Sequence, residues 1–179
     1  TVRLVDWNVF DHRRSENATH VPGVWDSSVA GACFVRDGRL DFEQAIYARL
    51  KNELNIESLD VKSVRVTGLH SSREPDFSGM YSFLVDVNIE REKIEEVASS
   101  YVSEGKFADY AIVSYEELDD FIVEKFGDIK KFVCLDGCMT LLQSLDKDRF
   151  ISTLKKLRDN GRDIKFGRLN HGRFEEYEN

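Results

Sequence analysis

The spacing of apolar residues divides this chain into amphipathic helices and short strands. Between residues 41 and 54, Phe42, Ala45, Ile46, Leu50 and Leu54 recur with the period of one helical face. Asp41 is placed to cap that helix, and Gln44 three residues on completes a capping-box pattern. Asn55 suits the left-handed residue that ends a helix. Alternation predicts strands at 2–10, 61–69, 80–89 and 110–114, with Tyr81, Phe83, Val85 and Val87 sharing one side of the third. The small and β-branched run at 24–35 reads as a strand or hairpin, and Asp37-Gly38 as the turn before the helix. Residues 11–20 and 71–78 read as loops. Further helices are expected at 90–103, 116–125, 136–145 and 148–159, the last with Phe150, Ile151, Leu154 and Leu157 on one face. Residues 160–179 are charged and dotted with glycine, and read as a strand-like or disordered tail.

Alternating strands and helices over 179 residues predict one α/β domain with a full core and a small C-terminal appendage. No apolar run is long enough to span a membrane, and no signal peptide is read, although the start at Thr1 leaves room for an upstream piece. A net charge of −8 argues against broad binding to nucleic acid or anionic membranes through bulk charge, while leaving room for a local basic patch. Three cysteines, Cys33, Cys134 and Cys138, are too few for a disulfide framework, so a reducing, cytoplasmic setting is expected. Cys134 and Cys138 are spaced to share a helix face, but no histidine lies near them in sequence, and a zinc site there is not expected.

Several segments, in this order, resemble one family. They are Arg13-Arg14-Ser15, Pro22-Gly23-Val24-Trp25, the small-residue run ending at Gly31, and the helix Ala45-Ile46-Tyr47-Ala48-Arg49-Leu50-Lys51-Asn52-Glu53-Leu54-Asn55-Ile56. Spacing and order resemble the Nudix superfamily, most closely the branch that holds isopentenyl-diphosphate isomerases. The run from Asp109 to Leu118 also looks like the late strand and helix start of Nudix domains. The resemblance covers about residues 9–122. It implies an α/β/α sandwich with a mixed sheet over 1–126, followed by a helical extension and charged tail over 127–179.

The same resemblance implies a changed site. Nudix hydrolases hold magnesium with glutamates of this helix, in the pattern REUxEExGU, because diphosphate cleavage needs a hard cation with several oxygen ligands. Here Ala48 stands at the arginine, Arg49 and Asn52 stand at two ligand positions, and Glu53 alone is kept. Asn55 replaces the glycine, and Leu40 sits at the upstream glutamate. Ala30 and Ala32 stand where the isomerases carry their cysteine and histidine. Three readings follow. The first is a degenerate Nudix-fold protein that binds a nucleotide, a diphosphate compound or a protein partner without Nudix catalysis and without a cofactor. The second is a hydrolase of a nucleoside diphosphate-linked substrate, with magnesium at a rearranged site built on Glu53 and on Glu43 or Glu104. The third is an isomerase-like enzyme. Glu53 is the candidate catalytic or metal-binding residue. Arg13, Arg14, Arg49 and Lys106 are candidate anion ligands around a groove beside Trp25, because guanidinium groups bind phosphate in a bidentate way and an indole can stack on a base.

Overall fold

Two apolar stripes, one on each face of a single sheet, set the layers of this molecule. The computed structural model describes residues 1–19, 22–31, 33–70, 80–128, 134–162, 164, 167–170 and 173–176. Strands β1 (Val2–Arg3), β2 (Asn8–Arg14), β5 (Val61–His70), β6 (Met80–Val87) and β7 (Phe107–Ser114) form a five-stranded sheet in the order β5-β6-β1-β2-β7. The sheet is mixed: β1 runs parallel to β6, and the β5–β6, β1–β2 and β2–β7 pairs are antiparallel. A hairpin of β3 (Phe34–Arg36) and β4 (Arg39–Asp41) precedes the first helix. A second hairpin, β8 (Gly167–Asn170) with β9 (Arg173–Glu176), lies in the C-terminal segment, where the sequence left strand and disorder both open.

Helices α1 (Phe42–Leu54) and α2 (Arg91–Ser103) cover one face, where Leu50, Leu54, Ile94 and Ala98 pack with Val2, Phe10, Val85 and Val87. Helices α3 (Leu118–Phe126), α4 (Leu135–Leu142) and α5 (Lys147–Asp159) cover the other, where Ile122, Phe126, Leu141, Leu142 and Leu157 pack with Val9. The fold is thus an α/β sandwich with a C-terminal helix cluster. α4 and α5 share a core with α3. Cys138 is buried in that core, which pushes its thiol up to about 12. Among the described residues, no helix is long and apolar enough to cross a membrane.

Helix α1 follows its sequence signals closely. The Asp41 carboxylate accepts from the Gln44 amide at 3.0 Å, and Asn55 takes a left-handed φ of 53°. The strand read over 2–10 is corrected: it is two strands joined by a turn. The Leu4 amide donates to Asn8 O at 2.8 Å, the Trp7 amide donates back to Leu4 O at 3.1 Å, and the Asp6 carboxylate accepts from the Asn8 amide at 3.3 Å. This reversal contains neither glycine nor proline, the usual markers of a turn. The loop read over 11–20 is corrected in part, because β2 continues to Arg14 along β7. The run 24–35 is mostly irregular, with one bridge between Trp25 and Arg13, and its pairing begins only at Phe34. The loop read over 71–78 lies outside the described residues.

Candidate functional site

Alternation along β2 sends Phe10, His12 and Arg14 to the α1 side of the sheet, while Val9 packs into the opposite core. Arg14 therefore meets the second half of α1, where Arg49 and Glu53 stand one turn apart. Lys106, just before β7, and the loop residues Asp26 and Ala30 close the ring. With His12, Ser15 and Ala18 these side chains line a cavity of about 300 Å³.

The charges are arranged in pairs. Arg14 Nη1 donates to Asp26 Oδ2 at 2.8 Å, and Arg49 Nη1 donates to Glu53 Oε1 at 3.3 Å. Asp26 also accepts from the Ser27 amide at 2.7 Å. Lys106 bonds Glu104 at 2.7 Å and lies over the Tyr101 ring. Burial holds the Glu53 carboxyl above its ordinary range, against Arg49 and the Ala30 amide, which pull it down. Three partly exposed cations face two carboxylates. Gly31 is part of the geometry, since a Cβ there would fall 2.1 Å from Arg49 Nε. Its missing side chain lets Arg49 lie along the loop.

His12 forms the apolar end of the pocket, stacked on Phe107 with centroids 4.3 Å apart. Burial pushes its imidazole down to about 4, with Arg14 adding to the fall and Asp26 opposing it. The ring is therefore neutral at pH 7. The sign of the linkage follows. The unfolded chain takes up a proton near pH 6.5, and the folded chain does not until about 4. The contribution of His12 is thus full above about pH 6.5 and is lost as the pH falls toward about 4. Asp11 and Glu53, held up by burial, contribute with the opposite sign, so the comparison must be with a variant. His12→Phe keeps the stack, and its denaturation midpoint should fall less between pH 7 and pH 4.5 than that of the natural chain. Parallel falls would disprove this assignment.

Of the residues singled out from sequence, Arg14, Arg49, Lys106 and Glu53 come together. Arg13 does not join them: it pairs with Glu16 at 3.3 Å and lies outside the cavity lining. Trp25 sits apart as well, edge-on to Phe121 at 5.3 Å in the second core, with Lys125 over its ring. Adjacent residues of a strand point to opposite faces, so Arg13 and Arg14 cannot both enter one pocket. Glu43 and Glu104 also lie outside the lining. His12 and Asp26 were missed. His12 was reachable by counting two residues at a time from Phe10. Asp26 lies in an Asp-Ser-Ser run that looks like any surface loop, yet all three residues are buried.

The helix does not fit magnesium. That ion takes near-octahedral oxygen coordination through carboxylates, whereas Glu53 is bonded to Arg49 and its neighbour on the helix is Asn52. Among the described residues, no three His, Cys, Asp or Glu side chains are grouped so as to hold a metal ion.

No protein-family profile matches this chain, and no curated protein matches it. Solved structures do match, 14 chains in all. Among them is DR0079 from Deinococcus radiodurans, 20% identical with a TM-score of 0.44, over 69% of this chain and 68% of that one.

Proposed function

We propose that this chain is a degenerate Nudix-fold protein that binds the phosphates of a nucleotide or other diphosphate compound in the cationic cavity and does not hydrolyse them. The observation that supports this reading most is the composition of the cavity wall: Arg14, Arg49 and Lys106 around two carboxylates, Asp26 and Glu53, that are already bonded to Arg14 and Arg49. A diphosphate would meet two guanidinium forks and an ammonium, which suit its oxygens geometrically and electrostatically. Replacing two of the three family carboxylates by Arg49 and Asn52 exchanges a metal-mediated contact with phosphate for a direct one. No catalytic step is assigned. A cytoplasmic setting goes with this reading.

Calorimetric titration with ADP or inorganic pyrophosphate, in the absence of divalent metal, tests it. Binding should weaken as salt is raised, and Arg49→Gln should lower affinity by roughly tenfold or more through the loss of a charge-assisted bond. Absence of binding at millimolar ligand would overturn the proposal. Metal-dependent release of phosphate, lost in Glu53→Gln, would replace it with the hydrolase reading.

A further inference from the structure

Arg14 and Arg49 both enter the cationic cavity already bonded to a carboxylate, but the two pairs are built differently. Asp26 is locked in place. It accepts from Arg14 at 2.8 Å, from the Ser27 amide at 2.7 Å and from the Cys134 thiol at 3.4 Å, and its side chain is 7% exposed. Glu53 is held less firmly. Its side chain is 29% exposed, and its bond from Arg49 Nη1, at 3.3 Å, is longer than the roughly 2.7–2.9 Å of a well-made charged bond. The Ala30 amide is a further donor to it. Lys106 is paired with Glu104, which stands outside the cavity lining, and an ammonium has three N–H groups to share. Of the carboxylates in the wall, Glu53 is therefore the one free to turn toward water.

Arg49 does not depend on Glu53 for its position. Its guanidinium lies against Gly31, where a Cβ would fall 2.1 Å from Nε and 2.5 Å from Cζ. The loop backbone seats the group, and the helix supplies its stem. Glu53 Oε1 meets Nη1 on the remaining side, as a phosphate oxygen would. An ion pair this exposed contributes little to folding, so its effect is felt chiefly at the cavity.

We infer that Glu53 is a built-in competitor for the Arg49 fork: its carboxylate occupies the donors that a phosphate needs, and the ligand binds as that side chain swings out. The inference rests on the phosphate-binding reading and adds a gate to the same site. The natural affinity is then reduced by the fraction of molecules whose fork is open. The opposite role, in which Glu53 holds Arg49 in its working position, makes a prediction of opposite sign.

Calorimetric titration of the full chain with ADP, without divalent metal, decides between them. The chains compared are the natural one, Glu53→Gln, Arg49→Gln and the double variant. Both residues are partly exposed, so the variants should fold, with circular dichroism as the check. Glu53→Gln keeps the length of the side chain and removes its charge, and should bind ADP roughly tenfold tighter or more. In the Arg49→Gln background the same change should gain less than about threefold, because the fork it competes for is gone. Unchanged or weaker binding by Glu53→Gln would overturn the inference. So would an equal gain with and without Arg49, which would reduce Glu53 to part of the general charge of the wall. In those cases ADP still binds and the phosphate reading stands. Absence of binding by both the natural and the Glu53→Gln chain would remove that reading, and the gate with it.

Discussion

Arg14→Met is expected to destabilise the fold by about 3 kcal/mol, the scale found when one partner is removed from a buried ion pair. Asp26 is the reason. Its side chain is only 7% exposed, against 29% for Arg14, and the two are bonded at 2.8 Å. Without the guanidinium, the carboxylate keeps the Ser27 amide at 2.7 Å and the Cys134 thiol at 3.4 Å, a neutral pair of donors in a nearly dry place. The loss measures the orphaned charge rather than the worth of the pair, so the double variant with Asp26→Asn should lose less than the sum of the two single changes. Denaturant unfolding of the four chains of that cycle supplies the number. A loss below about 1 kcal/mol, the value typical of exposed pairs, would show that water reaches Asp26 freely.

Leu50→Ala should also cost about 2–5 kcal/mol, by lost burial and by the cavity left behind. Leu50 is fully buried in the middle of α1, within the core that joins Phe10, Val85 and Ile94. Arg49 and Glu53 leave the same helix toward the pocket, so the phase that buries Leu50 is the phase that aims them. Urea unfolding, with the slope unchanged, would report a pure loss of stability. A change of less than about 1 kcal/mol would mean that the helix is rotated and that the pocket is wrongly built.

Helix α1 could be read from the sequence because period, cap and stop agree: the Leu50–Leu54 face, Asp41 and Asn55 all indicate the same element. β5, β6 and α5 were legible for the same reason, each carrying clear alternation or period, and α2 was read from its run of charged residues. The break between β1 and β2 was not legible, because Trp7 takes a conformation that sequence rules reserve for glycine and asparagine. The full length of β2 was hidden by Asp11, a charged residue at a wholly buried position. In the site, the residues of α1 were reachable from their spacing, and Lys106 from its place before β7. His12 and Asp26 were not singled out, since a buried polar residue and a solvated one are spelled alike. Grouping Arg13 and Trp25 with Arg14 overlooked the strand parity that separates neighbouring side chains.

The two residues of β1 have a meaning for the order of folding. β5 and β6 pair with each other, and β2 pairs with β7, but among the described strands it is β1 that joins the two sets. Its pairing with β6 couples Arg3 to Asp86, 83 residues apart. Closure over such a separation loses chain entropy before any contact compensates for it. The β5–β6 ribbon can zip locally, but the sheet is complete only when the β1 turn docks against it. The β2–β7 pairing, which joins Asn8 to Ser114 across 106 residues, closes over a longer separation still, so the cationic cavity, walled by β2 and α1, is among the last parts to assemble.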